Sequence, residues 1–145
     1  MTEFLDLHGQ TNKALRALAE DSMRRHGLHF GQNHLLAALW ERDGRTPGEI
    51  AASLCVSTPT VVKMADRMTI AGLLARRRDD QDNRLVRLWL TDAGRDLREP
   101  IEAARQAMEE RVTADLTAAE RKHLLSALAK IRRSARSLLD ESADG

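Results

Sequence analysis

Apolar residues recur at helical spacing over most of the chain. Phe4, Leu7, Leu15 and Leu18, with Thr11 in line, form one stripe and predict a first helix over Glu3–Arg25, ended by Gly27. Leu35, Leu36, Leu39 and Trp40 mark the inward side of a second helix from about Phe30 to Arg42, with Gly44 just past its end. The stretch TPGEIAASL then carries a start signal. Thr46 suits an N-cap, Pro47 the first helical position, and Glu49 the return half of a capping box, which predicts a short helix over Pro47–Leu54. A second cap-plus-proline start, Thr58–Pro59, opens a helix that reaches about Ile70 and is terminated by Gly72.

Here the pattern changes from helical steps to strict alternation. Leu73 to Arg78 and Leu85 to Leu90 read as the arms of a hairpin, with the polar run Asp79 to Arg84 as its turn. In the second arm Val86, Leu88 and Leu90 share one face, and Leu85, Arg87 and Trp89 the other. Helical spacing returns after Thr91, which caps a helix that Pro100 should kink by removing a donor and crowding the preceding turn. Thr117 and Glu120 make another capping box. The last helix carries Leu124, Leu128, Ile131, Ala135 and Leu138 at alternating steps of four and three. One small lobe cannot cover apolar stripes at both ends of the chain. They predict a homodimer interface around Leu15, Leu18, Leu124, Leu128 and Ile131.

Composition narrows the function. At 145 residues, 42% hydrophobic and 31% charged, the chain reads as one globular domain. Aromatic residues are only 3%, with no Tyr, which argues against stacking on single-stranded nucleic acid. A net charge of +1 means that a polyanion must be met by a local patch. The single cysteine, Cys55, excludes an intrachain disulfide and a thiolate zinc cluster. It follows Leu54 with no Lys or Arg close in sequence to lower its pKa, so it is expected to be a small buried residue, not a redox switch. MTEFLDL places Glu3 and Asp6 where a signal peptide needs basic residues, and no apolar run approaches about 18 residues. A cytoplasmic protein with no membrane partner is expected. No glycine-rich phosphate loop, nucleophile elbow or His/acid grouping suggests an enzyme, so no catalytic residue and no cofactor is expected. His8, His26, His29 and His34 fall in the first two helices, but no HxxxH pair or Cys accompanies them. A metal-responsive protein is therefore a weaker alternative, and no metal ligand is assigned.

The charge is concentrated. From Ser57 to Thr91 the positive residues Lys63, Arg67, Arg76, Arg77, Arg78, Arg84 and Arg87 outnumber Asp66, Asp79, Asp80 and Asp82 by three, in a chain whose total is +1. Along the second short helix Val61, Met64, Ala65 and Met68 share one face, while Thr60, Lys63 and Arg67 occupy the opposite one and Asp66 lies at the flank. Ser57, Thr58 and Thr60, around Pro59, offer hydroxyls and free backbone donors to phosphate. Two short helices joined by a tight turn and followed by a hairpin form the pattern of a winged helix-turn-helix.

These residues resemble the MarR family of winged helix-turn-helix transcriptional regulators of bacteria and archaea, from about Leu28 to Ile131. The resemblance rests on Gln32 early in the second helix, on EIAASLCVSTPTVVKMADRM, and on GLLARRRDDQDNRLVRLWLTDAG. Its most specific part is Asp82-x-Arg84-x-x-Arg87, matching the family's D-x-R-x-x-R wing signature, followed by Leu90, Thr91 and Gly94. The resemblance implies a mainly α fold with a small β-hairpin wing, forming a helical homodimer. Residues 1–145 would be a single MarR-like domain, with 29–91 the DNA-binding lobe and 1–28 and 92–140 the dimerisation helices. The partner would be double-stranded DNA carrying a near-palindromic operator. The role implied is regulation, as a repressor relieved by a small anionic or phenolic effector in a pocket between the dimerisation helices and the DNA-binding lobe.

The DNA-facing set carried over is Ser57, Thr58, Pro59, Thr60, Lys63, Arg67, Arg77, Arg78, Asp82, Arg84 and Arg87. Arg84 at the hairpin tip would enter a minor groove, with Asp82 orienting either it or Arg87, and Arg76, Arg77 and Arg78 would serve the phosphate backbone. Two positions depart from the family's pattern. Cys55 stands where Gly is frequent, which implies strain if its φ is positive. His29 stands where the second helix is usually capped by Thr. A helical dimerisation or adaptor module without DNA binding is the other reading, but it would not require the wing signature.

Overall fold

The computed structural model describes residues 2–145. The described elements are α1 (Glu3–Arg25), α2 (Gln32–Glu41), α3 (Pro47–Leu54), α4 (Thr58–Ile70), β1 (Leu74–Arg78), β2 (Val86–Leu90), α5 (Asp92–Asp96), α6 (Arg98–Val112) and α7 (Ala118–Ala143). They fall into two compact units, Met1–Arg105 and Gln106–Gly145.

In the first unit one core collects Met23 and Leu28, then Leu35, Leu36, Ala38 and Leu39 of α2, Ile50 and Ala51 of α3, Val61, Ala65 and Met68 of α4, the hairpin residues Leu74, Leu88 and Leu90, and Ile101. Truncating one such Leu to Ala typically costs about 2–5 kcal/mol, so this cluster holds the lobe together. In α2, α4 and β2 the apolar period was the right guide to the buried face. In α1, by contrast, only Met23 is buried, while Phe4, Leu5, Leu7, Leu15 and Leu18 stay exposed.

Several boundaries differ from the sequence expectation, each for a local reason. α2 starts at Gln32, not Phe30, because Gly31 takes φ 98° and breaks the helix there. The buried Gln32 side chain accepts the His29 N–H at 3.1 Å, so the place where a Thr cap was expected is served from inside the helix. At α3, Thr46 accepts from the Glu49 N–H at 3.2 Å, but the Glu49 carboxylate turns to Arg42 at 3.4 Å instead of returning to the cap. The expected capping box is therefore one-sided. α4 is capped by Ser57, and Thr58 is its first helical residue. Ser57 Oγ accepts from the Thr60 N–H at 3.3 Å and lies 2.7 Å from the Thr60 hydroxyl.

β1 and β2 pair antiparallel with Leu74 opposite Leu90, Arg76 opposite Leu88 and Arg77 opposite Arg87. This puts the arms in the alternation read from the sequence. The Leu88 N–H also donates to Arg45 O at 2.9 Å, which adds a short third rung.

The helix after the hairpin is broken, not merely kinked. α5 stops with Leu97 as its C-cap and α6 restarts at Arg98, leaving Pro100 in the first turn of the new helix. There a missing N–H is harmless, whereas one continuous helix would have needed it to reach Asp96 O. Gly94 of α5 is required for space, since a Cβ there would lie 2.3 Å from Leu73 O.

In the second unit α7 has no buried residue, and Leu124, Leu125, Leu128, Ile131, Leu138 and Leu139 are all exposed. Its capping box forms as expected, with reciprocal bonds of 3.0 and 3.1 Å between Thr117 and Glu120. The bond from the Thr117 backbone holds the Glu120 carboxyl below its ordinary range. Among the described residues no helix is long and apolar enough to cross a membrane.

Candidate nucleic-acid interface

α4 presents two faces, as its pattern predicts. Val61, Ala65 and Met68 are buried against the core, and Thr60, Lys63 and Arg67 are exposed. Ser57, Thr58 and Pro59 are exposed at its N-terminus, ahead of the helix's first free N–H groups. The acid at the flank has a purpose the sequence did not reveal. Asp66 pairs with Arg76 of β1, joining the helix to the wing. Arg76, expected to serve the phosphate backbone, is therefore engaged within the protein. Among the described residues Lys63 and Arg67 take part in no ion pair, so their charge is directed outward.

The wing is organised by two acids acting on two arginines. Asp82 accepts from the Arg84 N–H at 3.1 Å and from Arg84 Nε at 3.2 Å, and the Arg84 side chain remains 91% exposed. This resolves the alternative left open by the sequence, since Asp82 holds Arg84. Arg87 is held by Asp79, whose Oδ1 accepts from Arg87 Nε at 2.7 Å. Arg87 also donates through Nη1 to Gly44 O at 2.9 Å and lies 3.9 Å from the Glu49 carboxylate. Its side chain is only 30% exposed. The pairing shifts both groups. The hydrogen bond from Arg87 is the main reason that the Asp79 carboxyl lies below its ordinary range, with the Asp82 N–H next. The same bond, opposed by partial desolvation, raises Arg87 further.

Asp79 is the wing residue whose contacts the sequence reading missed. Its signal was present but generic: an Asp opening a polar turn, able to accept backbone N–H groups two and three residues on.

Of the remaining basic groups, Arg77 lies 6.0 Å from the Trp89 ring centroid, and Arg78 donates to Asn83 O at 3.3 Å. Trp89 in turn packs on Gly44, where a Cβ would fall 2.4 Å from the indole and where φ is 72°. Glycine is required there twice over. Three of the four acids in the stretch thus each neutralise or aim one arginine, and Lys63, Arg67, Arg77 and Arg78 have no carboxylate partner among the described residues.

Cys55, expected to be buried, is exposed and left-handed at φ 56°, ψ 42°, in the turn between α3 and α4. It closes a helix end, which directs its side chain to solvent. The histidines are dispersed in role. His8 sits near Phe4, His26 pairs its Nδ1 with Ser22 O at 3.0 Å, and His34 packs edge-on to Phe30. Burial, with Arg105 adding to it, pushes the His34 imidazole below its ordinary range. Among the described residues no three His, Cys, Asp or Glu side chains gather as a metal-binding group.

This arrangement agrees with what the chain is similar to. The MarR family model matches residues 30–86, from just ahead of α2 to the first residue of β2. The HTH-type transcriptional repressor MdtR of Bacillus subtilis is 32% identical over 115 residues, covering 79% of this chain and 74% of MdtR. The HTH-type transcriptional regulator TtmR of Methylorubrum extorquens is 32% identical over 107 residues, covering 74% of this chain. The match spans only 54% of TtmR, about half of that protein's length. Among solved structures, the S. aureus MepR-DNA complex is 24% identical and aligns with a TM-score of 0.75 over 89% of this chain and 94% of that one, a likeness of fold. The helix-turn-helix, the wing signature and the extent of the match to MdtR together make this chain a member of the MarR family.

Proposed function

We propose that this protein is a sequence-specific, double-stranded DNA-binding transcriptional regulator that acts in the cytoplasm as a homodimer. α4 enters the major groove and the wing an adjacent minor groove. The observation that carries this reading is the separation of charge: among the described residues Lys63 and Arg67 point outward without acidic partners, while Asp66, Asp79 and Asp82 each hold an arginine. A merely solvated surface has no need of that division. Repression is the favoured direction, by analogy with the repressor MdtR.

In this reading residues 29–91 are the DNA-binding lobe. Residues 1–28 and 92–140 supply dimerisation, because the exposed apolar positions of α1 and of α7 each need a covering surface. Two copies of α4 related by a twofold axis would read half-sites about 34 Å apart, so the operator is a near-palindrome. Ser57, Thr58, Thr60, Arg77 and Arg78 meet phosphates, Pro59 shapes the first turn, and Arg84 enters the minor groove with Asp82 behind it.

Selection of bound duplexes from a random pool, followed by titration at two salt concentrations, tests this. Arg84→Ala should lose about 1–3 kcal/mol of operator binding. Lys63→Ala and Arg67→Ala should weaken the operator more than random duplex. Arg77→Ala and Arg78→Ala should weaken all duplexes alike and each flatten the salt dependence by about one charge. A chain that is monomeric at micromolar concentration with and without DNA, or selects no sequence, overturns the proposal.

A further inference from the structure

We infer that Asp79 is a positioning residue for DNA binding, fixing the wing tip to the body of the lobe so that Arg84 is presented in one orientation. The inference rests on the DNA-binding reading above and adds a residue outside the wing signature.

The geometry is a relay from the lobe to the tip. At the lobe end, Gly44 O accepts from Arg87 Nη1 at 2.9 Å, anchoring that guanidinium in the connection between α2 and α3. Arg87 Nε then donates to Asp79 Oδ1 at 2.7 Å. The other oxygen of the same carboxylate accepts two backbone N–H groups of the turn, Gln81 at 3.1 Å and Asp82 at 2.9 Å. Backbone bonds from Asp79 N to Leu85 O and from Leu85 N to Asp82 O close the turn around it. Asp82, held through its own N–H, is the side chain that grips Arg84.

Arg84 has no other partner among the described residues. Its aim therefore depends on where Asp82 sits, and Asp82 sits where Asp79 holds it. Asp79 can do this because its side chain is only 20% exposed, so its bonds compete with little water. Without it the Gln81 and Asp82 N–H groups lose their acceptor and the turn loses its link to Arg87, leaving the bond from Arg78 to Asn83 O and the turn's own bonds, and Arg84 must be ordered at the moment of binding.

Two simpler ideas predict otherwise. If only net charge mattered, removing an acid from a DNA-facing surface would tighten binding. If Asp79 merely stabilised the lobe, its loss would weaken every variant equally.

The experiment is a double-mutant cycle on the full chain, with the operator duplex recovered by selection as the probe, at fixed salt. The variants are Asp79→Asn, Arg84→Ala and the pair. Asp79→Asn should weaken operator binding about tenfold, the loss of one oriented charge-assisted contact. It should also lose the preference between A·T and G·C base pairs flanking the operator, which reports minor-groove width. In the Arg84→Ala background the same substitution should change binding by less than about twofold, because nothing is left to aim. An undiminished effect in that background, or tighter binding by Asp79→Asn alone, overturns the inference and leaves the DNA-binding reading intact. Operator binding unaffected by Arg84→Ala would instead overturn the minor-groove reading itself. If Asp79→Asn does not fold, as read by circular dichroism, Arg87→Gln breaks the same link from its other side and must give the same pattern.

Discussion

The sharpest stability consequence concerns Cys55. It is the one non-glycine residue with positive φ among the described residues, at φ 56°. Its N–H helps to close α3, donating to Ala52 O at 3.4 Å, and the next N–H, of Val56, donates to Ala51 O at 3.1 Å. The backbone conformation is thus demanded by the helix end, while the exposed thiol makes no contact that the end depends on. Holding an L residue in the left-handed region costs roughly 1–2 kcal/mol. Glycine removes that strain but loses about 0.4–1 kcal/mol more to chain entropy on folding. Cys55→Gly should therefore stabilise the protein by about 0.8 kcal/mol, the middle of a range that reaches about 1.6 kcal/mol. Cys55→Ala keeps the Cβ and should stay within about 0.5 kcal/mol of the parent. Urea and thermal unfolding of the three proteins, under reducing conditions and at one protein concentration, read this directly. A gain of about 0.8 kcal/mol raises Tm by about 2–3 °C for a chain of this length. Fixed concentration matters because dimerisation would itself raise apparent stability. A glycine variant no more stable than the alanine variant would refute the strain argument.

Two further outcomes follow from the wing's ion pairs. Because Arg76 is engaged with Asp66, Arg76→Ala should change the salt slope of duplex binding by well under one charge, unlike Arg78→Ala; equal slopes for the two would place Arg76 on a phosphate. The Asp79 carboxyl is held below its ordinary range chiefly by Arg87, so its contribution is present above the unfolded carboxylate pKa of about 4 and is lost as pH falls through the lower folded value. The stability difference between the parent and Asp79→Asn, followed by unfolding across acid pH, should be constant well above pH about 4, shrink as pH falls below that value, and close once pH is below the lower folded value.

What the sequence by itself determined is what short-range rules govern. Thr46 and Thr117 serve as helix caps, α1 and α3 keep the bounds read for them, and the alternation of Val86, Leu88 and Leu90 set the strand face. Each depends on residues within one turn or one rung of its neighbours. The two faces of α4 were legible for the same reason, since a step of three or four residues is all that defines them. The wing signature, too, identified Asp82 and Arg84, two residues apart.

The tertiary structure decided everything that joins distant positions. Trp40 Nε1 donates to Gly94 O at 3.0 Å across 54 residues, which makes that glycine's backbone part of the lobe's packing. Asp66 found Arg76, and Asp79 found Arg87, from a stretch that offers four acids and seven basic residues. Within such a stretch nearly every opposite-charge pairing satisfies Coulomb's law, so charge alone cannot select among them. Selection comes from docking. The strand register and the seat of α4 on the core bring certain carboxylates within hydrogen-bond reach of certain guanidiniums and leave Lys63 and Arg67 facing outward.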